Sequence, residues 1–183
     1  MIADDPVILV VDVESTCWQG QPPPGEQSEI IEIGICALDS ASGELLEQES
    51  ILVRPERSKV SPFCTELTTL TQEMVDAGIW FAEACERLRT HYRGPERTWA
   101  SWGDYDRKMF EAQCAQRGIP YPFSAEHINS KKRFAAAYRL KRPEGMAGAL
   151  KHLCWPLQGT HHRGEDDAVN IARILGHLLV SGE

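Results

Sequence analysis

The stretch Val7-Ile-Leu-Val-Val-Asp-Val-Glu-Ser-Thr16 joins a strongly apolar run directly to two acids. A continuous β-branched and apolar run is typical of a strand that is buried on both faces. Because residues i and i+2 of a strand point to the same face, the carboxylates of Asp12 and Glu14 are expected to project together from its end. Two buried like charges repel, and a divalent cation would remove that penalty. A solvated strand end remains the simpler alternative.

Patterning beyond this strand predicts a mixed sheet with helices packed on it. Residues 31, 33, 35 and 37 alternate as apolar positions and predict a second strand; residues 45–53 and 98–102 supply a third and a fourth. Apolar residues at helical spacing predict helices within 81–92, 105–117, 146–153 and 168–179. This order predicts an α/β fold. The length of 183 residues predicts one domain over residues 1–183.

The charge balance restricts how this chain could bind a polyanion. It has 19 basic and 27 acidic residues, a formal net charge of −8. An acidic chain is a poor general phosphate binder, so any contact with nucleic acid must be local, through basic clusters or bound cations. Basic residues cluster at 131–133 and 139–142. A solvated charged face is the alternative for both clusters.

The chain carries no pattern for export or membrane insertion. Its longest apolar run, Val7 to Val11, is far shorter than the roughly 20 residues of a membrane span. Asp4, Asp5 and Pro6 open the chain where a signal peptide would have a basic segment. The six cysteines include no CxxC pair. We therefore expect a cytoplasmic protein with free thiols and no membrane contact.

Carboxylates also occur at two further element ends. Trp102-Gly-Asp-Tyr-Asp106 follows the fourth strand, and His161-His-Arg-Gly-Glu-Asp-Asp167 precedes the last helix. Acids at a helix N-terminus also offset the helix dipole, which is the simpler explanation for Glu165 and Asp166. Acids at all three element ends, with histidine beside the last, favour a shared metal or acid–base site.

The three segments together resemble the DEDD superfamily of 3′-to-5′ exonucleases, in its histidine-bearing DEDDh branch. The first motif is similar to Asp12-Val-Glu-Ser-Thr16, the second to Tyr105-Asp106 with Met109-Phe110, and the third to His162-Arg163 followed by Asp167-Ala168. The motifs occur in the family's order. Asp104 is a rival for the second motif, although its spacing to Met109-Phe110 fits worse. Ser101-Trp-Gly stands where many relatives have His-Asn.

The closest resemblance is to the enhanced-RNAi and histone-mRNA exonuclease subgroup. It rests on Phe63-Cys-Thr-Glu-Leu-Thr68, Leu70-Thr-Gln-Glu-Met-Val75 and Gly159-Thr-His-His-Arg-Gly164. The resemblance implies an RNase H-like core, in which a five-stranded mixed sheet is flanked by helices. That core adds one short strand after residue 120 to those predicted from patterning.

The resemblance also implies a set of catalytic residues. Asp12, Glu14, Asp106 and Asp167 would hold two divalent cations, Mg²⁺ or Mn²⁺, with Asp12 bridging both. His162 would take the proton from the attacking water. His161 has no motif position, and we expect a structural or solvated role for it.

The implied reaction is hydrolysis of the terminal phosphodiester bond at a single-stranded or overhanging 3′ end, releasing nucleoside 5′-monophosphates. RNA is favoured over DNA by the subgroup resemblance, and a homodimer is possible because several relatives are dimers. We expect Thr16 to position the terminal nucleotide through backbone or hydroxyl contacts. We expect Phe63 and Tyr105 to pack on a base, with a place in the core as their alternative.

Three other functions stay open from the sequence. A proofreading-type DNA exonuclease would use the same site. A non-catalytic nucleic-acid-binding module on the same fold would need a damaged site, yet all five expected residues are present. An acidic Ca²⁺-binding protein predicts carboxylates at EF-hand spacing, which the sequence lacks.

Overall fold

A computed structural model, which describes residues 6–182, shows a mixed β-sheet with helices on both faces. Three antiparallel strands form a meander, and three short strands extend the sheet through parallel pairs. The strands are β1 (Val7–Ser15), β2 (Ile30–Asp39), β3 (Leu45–Arg54), β4 (Ile79–Trp80), β5 (Trp99–Ser101) and β6 (His127–Asn129), in the order β4-β3-β2-β1-β5-β6. The predicted α/β class is confirmed. Residues 1–5, which carry the prediction about a signal peptide, lie outside the described part.

The expected count of five strands is wrong, because the sheet has six within residues 6–182. The additional strand, β4, is two residues long and pairs in parallel with the end of β3, Ile79 against Val53 and Trp80 against Arg54. Two residues are too few to show the alternation that identifies a strand. The short strand expected after residue 120 is β6.

Seven α-helices lie in the described part of the chain. They are α1 (Pro62–Thr68), α2 (Gln72–Asp76), α3 (Phe81–Thr90), α4 (Tyr105–Arg117), α5 (Ser130–Ala137), α6 (Met146–His152) and α7 (Gly164–Val180), with a 3-10 turn at Gly94–Glu96. The helices predicted from apolar spacing are α3, α4, α6 and α7. The sequence analysis missed α1, α2 and α5, which are at most eight residues long. The side chains of Ser61, Thr71 and Asn129 cap their N-termini.

The two faces of β1 pack against different helices. Leu9, Val11 and Val13 enter a core shared with α3 and α4. Ile8 and Val10 enter a second core, which is shared with α5, α6 and α7. The alternation continues past the apolar run, so Asp12 and Glu14 lie on the α7 side of the sheet.

The N-terminal end of α7 lies directly on β2. A Cβ atom on Gly34 would be 1.9 Å from the carbonyl carbon of Gly164, so neither residue has room for a side chain there. This contact brings the third motif to the carboxyl end of β1, since Gly34 pairs with Asp12 across the sheet. All six cysteines are free thiols. Among the described helices, none is long and apolar enough to cross a membrane.

Candidate active site

A cavity of about 460 Å³ opens at the carboxyl end of β1. It is lined by residues from the ends of β1 and β5, from α1 and α4, and from the segments that begin α6 and α7. All four predicted acids and the predicted histidine line it: Asp12, Glu14, Asp106, His162 and Asp167. Segments far apart in the sequence therefore converge on one site.

The second motif reaches this cavity through the first turn of α4. Asp106 is 5% exposed, and its Oδ1 accepts a hydrogen bond from the backbone N–H of Val13 at 3.0 Å. Asp104 instead pairs with Arg107 and Lys132, at 3.2 and 3.4 Å, and lines a neighbouring cavity. The geometry therefore favours Asp106 over its rival as the acid of the second motif.

The third motif reaches the cavity through the first turn of α7. Asp167 is 5% exposed, and its Oδ2 accepts a hydrogen bond from the backbone N–H of His162 at 3.0 Å. Its own N–H donates to the carbonyl oxygen of Arg163 at 2.8 Å. Asp106 and Asp167 thus both sit in first turns of helices, where the helix dipole favours negative charge.

Burial opposes ionisation of three of the acids, and repulsion from neighbouring carboxylates adds to this for Asp12 and Glu14. Burial, with repulsion from Asp106, Asp167 and Glu14, raises the pKa of Asp12 well above its usual value. Burial and the charge of Asp167 raise the pKa of Glu14 to about 8. Burial raises the pKa of Asp106 to about 6, although the hydrogen bond from Val13 opposes this. Ionised together, these groups need a compensating positive charge.

The donor set fits hard divalent cations. One carboxylate oxygen from each of Asp12, Glu14 and Asp167 lies within 4.8 Å of the other two. No lysine or arginine is among the cavity-lining residues, all of which belong to the described part of the chain. Carboxylate oxygens suit Mg²⁺ or Mn²⁺. Cations bound here would supply the positive charge that the protein itself does not place in the cavity.

His162 is held in an unusual backbone conformation. Its φ of 64° lies in the left-handed region, which non-glycine residues seldom adopt and which often marks functional sites. Burial, with repulsion from His161, lowers the pKa of its imidazole below the usual value, and Asp167 opposes the shift. A lowered pKa favours the neutral imidazole, the form that accepts a proton.

His161 lies in direct contact with one of the acids, Asp167. Its Nδ1 is 3.0 Å from Oδ2 of Asp167, and its ring stacks on that of His162 at a centroid distance of 4.0 Å. The prediction of a structural or solvated role is compatible with this position, since His161 orients Asp167 while its side chain is 41% exposed.

The three predicted substrate contacts occupy different environments. Tyr105 lines the cavity, is 55% exposed, and its hydroxyl shares a 2.7 Å hydrogen bond with Oγ of Ser15. Phe63, in α1, is 36% exposed, which argues against a core role. Thr16 is fully buried; its hydroxyl donates to the carbonyl of Gln27 and accepts from the N–H of Glu29. A hydroxyl contact from Thr16 to substrate is therefore not supported.

Sequence reasoning missed several residues that shape the site. Leu67, Trp102 and Met146 line the cavity, and a helical or aromatic pattern alone does not separate such residues from core residues. Glu32 is fully buried in β2 beside Glu14. An acid within the apolar run from Ile30 to Ile35 was the available signal for it.

A second cavity of about 390 Å³ adjoins the first. Trp102 and Tyr105 line both cavities, and Lys131 and Lys132 line the second. The basic cluster predicted at residues 131–133 therefore contributes two ammonium groups close to the candidate active site. The Nε1–H of Trp102 donates to the carbonyl of Glu144 at 3.1 Å, which fixes the indole between the two cavities.

Comparison with known proteins identifies similar nucleases. The RNase T family model, described as exonuclease, matches residues 9–175. Human 3′-5′ exoribonuclease 1 is 32% identical over 187 residues, covering 96% of this chain but 53% of the human protein. The chain thus spans about half the length of that relative.

Two solved structures resemble the whole described fold. The nuclease domain of 3′hExo, a DEDDh family member bound to rAMP, superposes with a TM-score of 0.87 at 30% identity and covers 98% of this chain and 96% of that one. The second is a 3′-exonuclease, from a structure of 3′-end-specific recognition of a histone mRNA stem-loop. It superposes with a TM-score of 0.85 at 29% sequence identity and covers 97% of this chain and 64% of that one. The predicted RNase H-like architecture is confirmed.

Proposed function

This chain belongs to the RNase T family of exonucleases, in its DEDDh group, and from that premise we propose that it is a metal-dependent 3′-to-5′ exonuclease of RNA. It would act on single-stranded or overhanging ends and release nucleoside 5′-monophosphates. The convergence of four acids and one histidine on a single cavity carries the proposal. The similarity to an exoribonuclease and to a nuclease domain bound to rAMP supports RNA as the substrate.

Two divalent cations are part of this proposal. Asp12, Glu14, Asp106 and Asp167 would hold them, and Mg²⁺ and Mn²⁺ are the ions that suit such oxygen ligands. Bound there, the ions supply charge neutralisation on the phosphate, activation of water and stabilisation of the leaving oxygen.

The protein's own groups handle the proton and the substrate. Water attacks the terminal phosphorus, and neutral His162 accepts the proton that the water loses. The bond between phosphorus and the 3′ oxygen of the preceding nucleotide breaks, and that oxygen takes a proton from solvent. The released nucleotide keeps its 5′-phosphate, and the shortened strand regains a free 3′ hydroxyl.

The neighbouring cavity gives the strand a route away from the acids. Exposed Tyr105 offers a face on which a base can stack. Lys131 and Lys132 lie beyond it, where phosphates of the upstream nucleotides would need positive charge. Contact by Phe63, a cytoplasmic location and a homodimer stay predictions.

A nuclease assay tests the proposal. RNA and DNA oligomers of identical sequence, labelled at the 5′ end, are incubated with Mn²⁺ or Mg²⁺, and circular RNA serves as the substrate without ends. We expect a ladder that shortens from the 3′ end of linear RNA, more slowly on DNA, with circular RNA intact. Faster cleavage of DNA would indicate the proofreading type instead. Binding without cleavage would indicate a non-catalytic module.

The pH profile should identify the proton acceptor. Because burial lowers the pKa of His162 below its usual value, we expect kcat at saturating Mn²⁺ to rise with pH on the acidic side and to level off once His162 has lost its proton. His162→Asn should lower kcat by about 10²–10⁴-fold, the usual contribution of a general base, and flatten this rise.

The matched control is His161→Asn, which changes the stacked neighbour. It should keep a pH-dependent rise, moved to higher pH because the repulsion that lowers the pKa of His162 is gone, at a kcat reduced because Asp167 loses one hydrogen-bond partner. A flat profile for the parent protein, or loss of the rise in His161→Asn alone, would exclude His162 as the base.

A further inference from the structure

We propose that Glu32 and Arg163 form a positioning pair that sets the distance between the third motif and the acids of β1. The pair, together with Ser50 and Gly164, is called the Glu32 clamp below. It has no contact with the substrate in this proposal and acts through His162 and Asp167. The inference rests on the proposed function, because it concerns the same site.

The carboxylate of Glu32 is fully engaged. Its Oε1 accepts hydrogen bonds from Nη2 of Arg163 at 2.9 Å and from Oγ of Ser50 at 2.7 Å. Its Oε2 accepts from Nε of Arg163 at 3.2 Å and from the backbone N–H of Gly164 at 2.8 Å. The side chain of Glu32 is 0% exposed and that of Arg163 is 26% exposed. A buried bidentate pair of this kind fixes both distance and orientation.

The pKa of Glu32 is shifted in the opposite direction to that of the neighbouring acid Glu14. Burial raises its pKa, but the hydrogen bonds from Arg163, Ser50 and Gly164 outweigh burial, so the pKa is lowered overall. Glu14, its partner across β1 and β2, accepts no hydrogen bond from Arg163 in the described part of the chain; the charge of Arg163 lowers its pKa by less than burial and the neighbouring acids raise it. Both carboxylate oxygens of Glu32 already accept hydrogen bonds from Arg163, Ser50 and Gly164, so the geometry assigns Glu32 to the clamp and not to the four proposed metal ligands.

The clamp connects β2 to the catalytic turn of α7. Arg163 follows His162 directly, and its carbonyl oxygen accepts the N–H of Asp167. Glu32 thus holds both the side chain of Arg163 and the first N–H of α7, between the proposed base and the proposed ligand. Movement of this turn by about 1 Å would misplace two functional groups at once, a displacement that can cost roughly 10²-fold in rate.

The test combines metal binding with steady-state kinetics on the full chain. Glu32→Gln, Arg163→Ala and the double variant are compared with the parent by Mn²⁺ titration, followed by electron paramagnetic resonance, and by kcat and KM on linear RNA. We expect each single variant to weaken Mn²⁺ binding and kcat by about 10–100-fold, the range seen when partners of metal ligands are lost. KM should change by less than about threefold, because the substrate contacts are unaltered.

Two features separate positioning from general destabilisation. The double variant should be no worse than the poorer single variant, since both remove one interaction. Arg163→Lys should recover part of kcat, because it keeps the charge and loses the bidentate geometry. The control pair is Arg87→Ala and Glu49→Gln, which breaks an ion pair of 2.6 Å between α3 and β3 and should leave Mn²⁺ binding and kcat unchanged.

Ser50→Ala guards against variants that fail to fold, because it removes a single bond to Glu32 and leaves the charge pair intact. Like Glu32→Gln and Arg163→Ala, it should weaken Mn²⁺ binding, but by less than about tenfold. Parental Mn²⁺ affinity and kcat in Glu32→Gln, or additive losses in the double variant, would overturn the clamp. A parent protein that binds Mn²⁺ but does not cleave RNA would contradict the proposed function. The Mn²⁺ affinities of the variants would still test the clamp in that case.

Discussion

Asp12→Asn is expected to abolish cleavage and, at the same time, to raise the thermal stability of the metal-free protein. The side chain of Asp12 is half-buried among Asp106, Asp167 and Glu14, and loss of solvation together with their repulsion raises its pKa well above its usual value. Folding without metal must therefore either hold a proton on this group or tolerate the repulsion. Asn has nearly the same shape and carries no charge, so it removes that cost together with a ligand oxygen.

The pH dependence of this gain has a definite sign. When a carboxyl has a higher pKa in the folded state than in the unfolded state, rising pH favours the unfolded chain until the folded pKa is reached. The parent and Asp12→Asn should therefore be equally stable near pH 3, and the variant should gain on the parent towards pH 7. With a stability gain of about 1 kcal/mol, Tm would rise by about 2–4 °C in a chain of this size.

Thermal melts with and without Mn²⁺ check both parts of the prediction. Mn²⁺ should raise the Tm of the parent, because a ligand that binds only the folded state stabilises it. It should have little effect on Asp12→Asn. The matched control is Asp76→Asn, an exposed acid at the end of α2, which should keep the parental cleavage rate and metal response. A metal-free Asp12→Asn that melts below the parent would contradict the electrostatic account.

Local patterns predicted the parts of the fold that have strong local signals. The continuous β-branched run of β1 and the long amphipathic stripe of α7 are strong local signals, and both elements carry site residues. The first strand directly positions Asp12 and Glu14, so the acid pair could be placed from the sequence. The family motifs supplied the pairing of these acids with Asp106 and Asp167.

The missed features depend on contacts between distant segments. β4 is a strand only because its two residues pair in parallel with the end of β3, and a two-residue sequence pattern does not predict such pairing. The role of Thr16 in positioning the nucleotide stays a prediction, but no sequence spacing indicates that its hydroxyl bonds to Gln27 and Glu29. In the sequence, Glu32 only interrupts an apolar strand pattern. Its counter-charge, Arg163, lies more than a hundred residues later in the chain. Such partners are set by tertiary packing, which sequence spacing does not encode.

Gly34→Ala should be the most damaging single substitution outside the acids. A Cβ at this position would lie 1.9 Å from both the carbonyl carbon and the carbonyl oxygen of Gly164, and 2.3 Å from the backbone nitrogen of Glu165. Backbone atoms cannot turn aside as a flexible side chain can, so the N-terminal end of α7 must move away from β2. We expect a loss of unfolding free energy of about 3 kcal/mol or more, at the upper end for overpacked sites.

The same displacement should also lower kcat in the molecules that remain folded, because α7 carries Asp167 and follows His162. Urea unfolding measures the stability change, and kcat at saturating RNA and Mn²⁺, taken well below the melting range, measures displacement of the site. We expect about a 10²-fold loss of kcat.

Gly148→Ala is the matched control, because its nearest neighbours are side-chain atoms of Glu144 at 3.2 Å and the residue lies inside α6. Alanine favours a helix interior over glycine by about 0.5–1 kcal/mol, so this variant should be neutral or slightly more stable. A Gly34→Ala protein within about 0.5 kcal/mol of the parent, the range of ordinary surface substitutions, would show that α7 does not need its close contact with β2. Because that contact holds the third motif over the acids of β1, the convergence of the site would then need another cause.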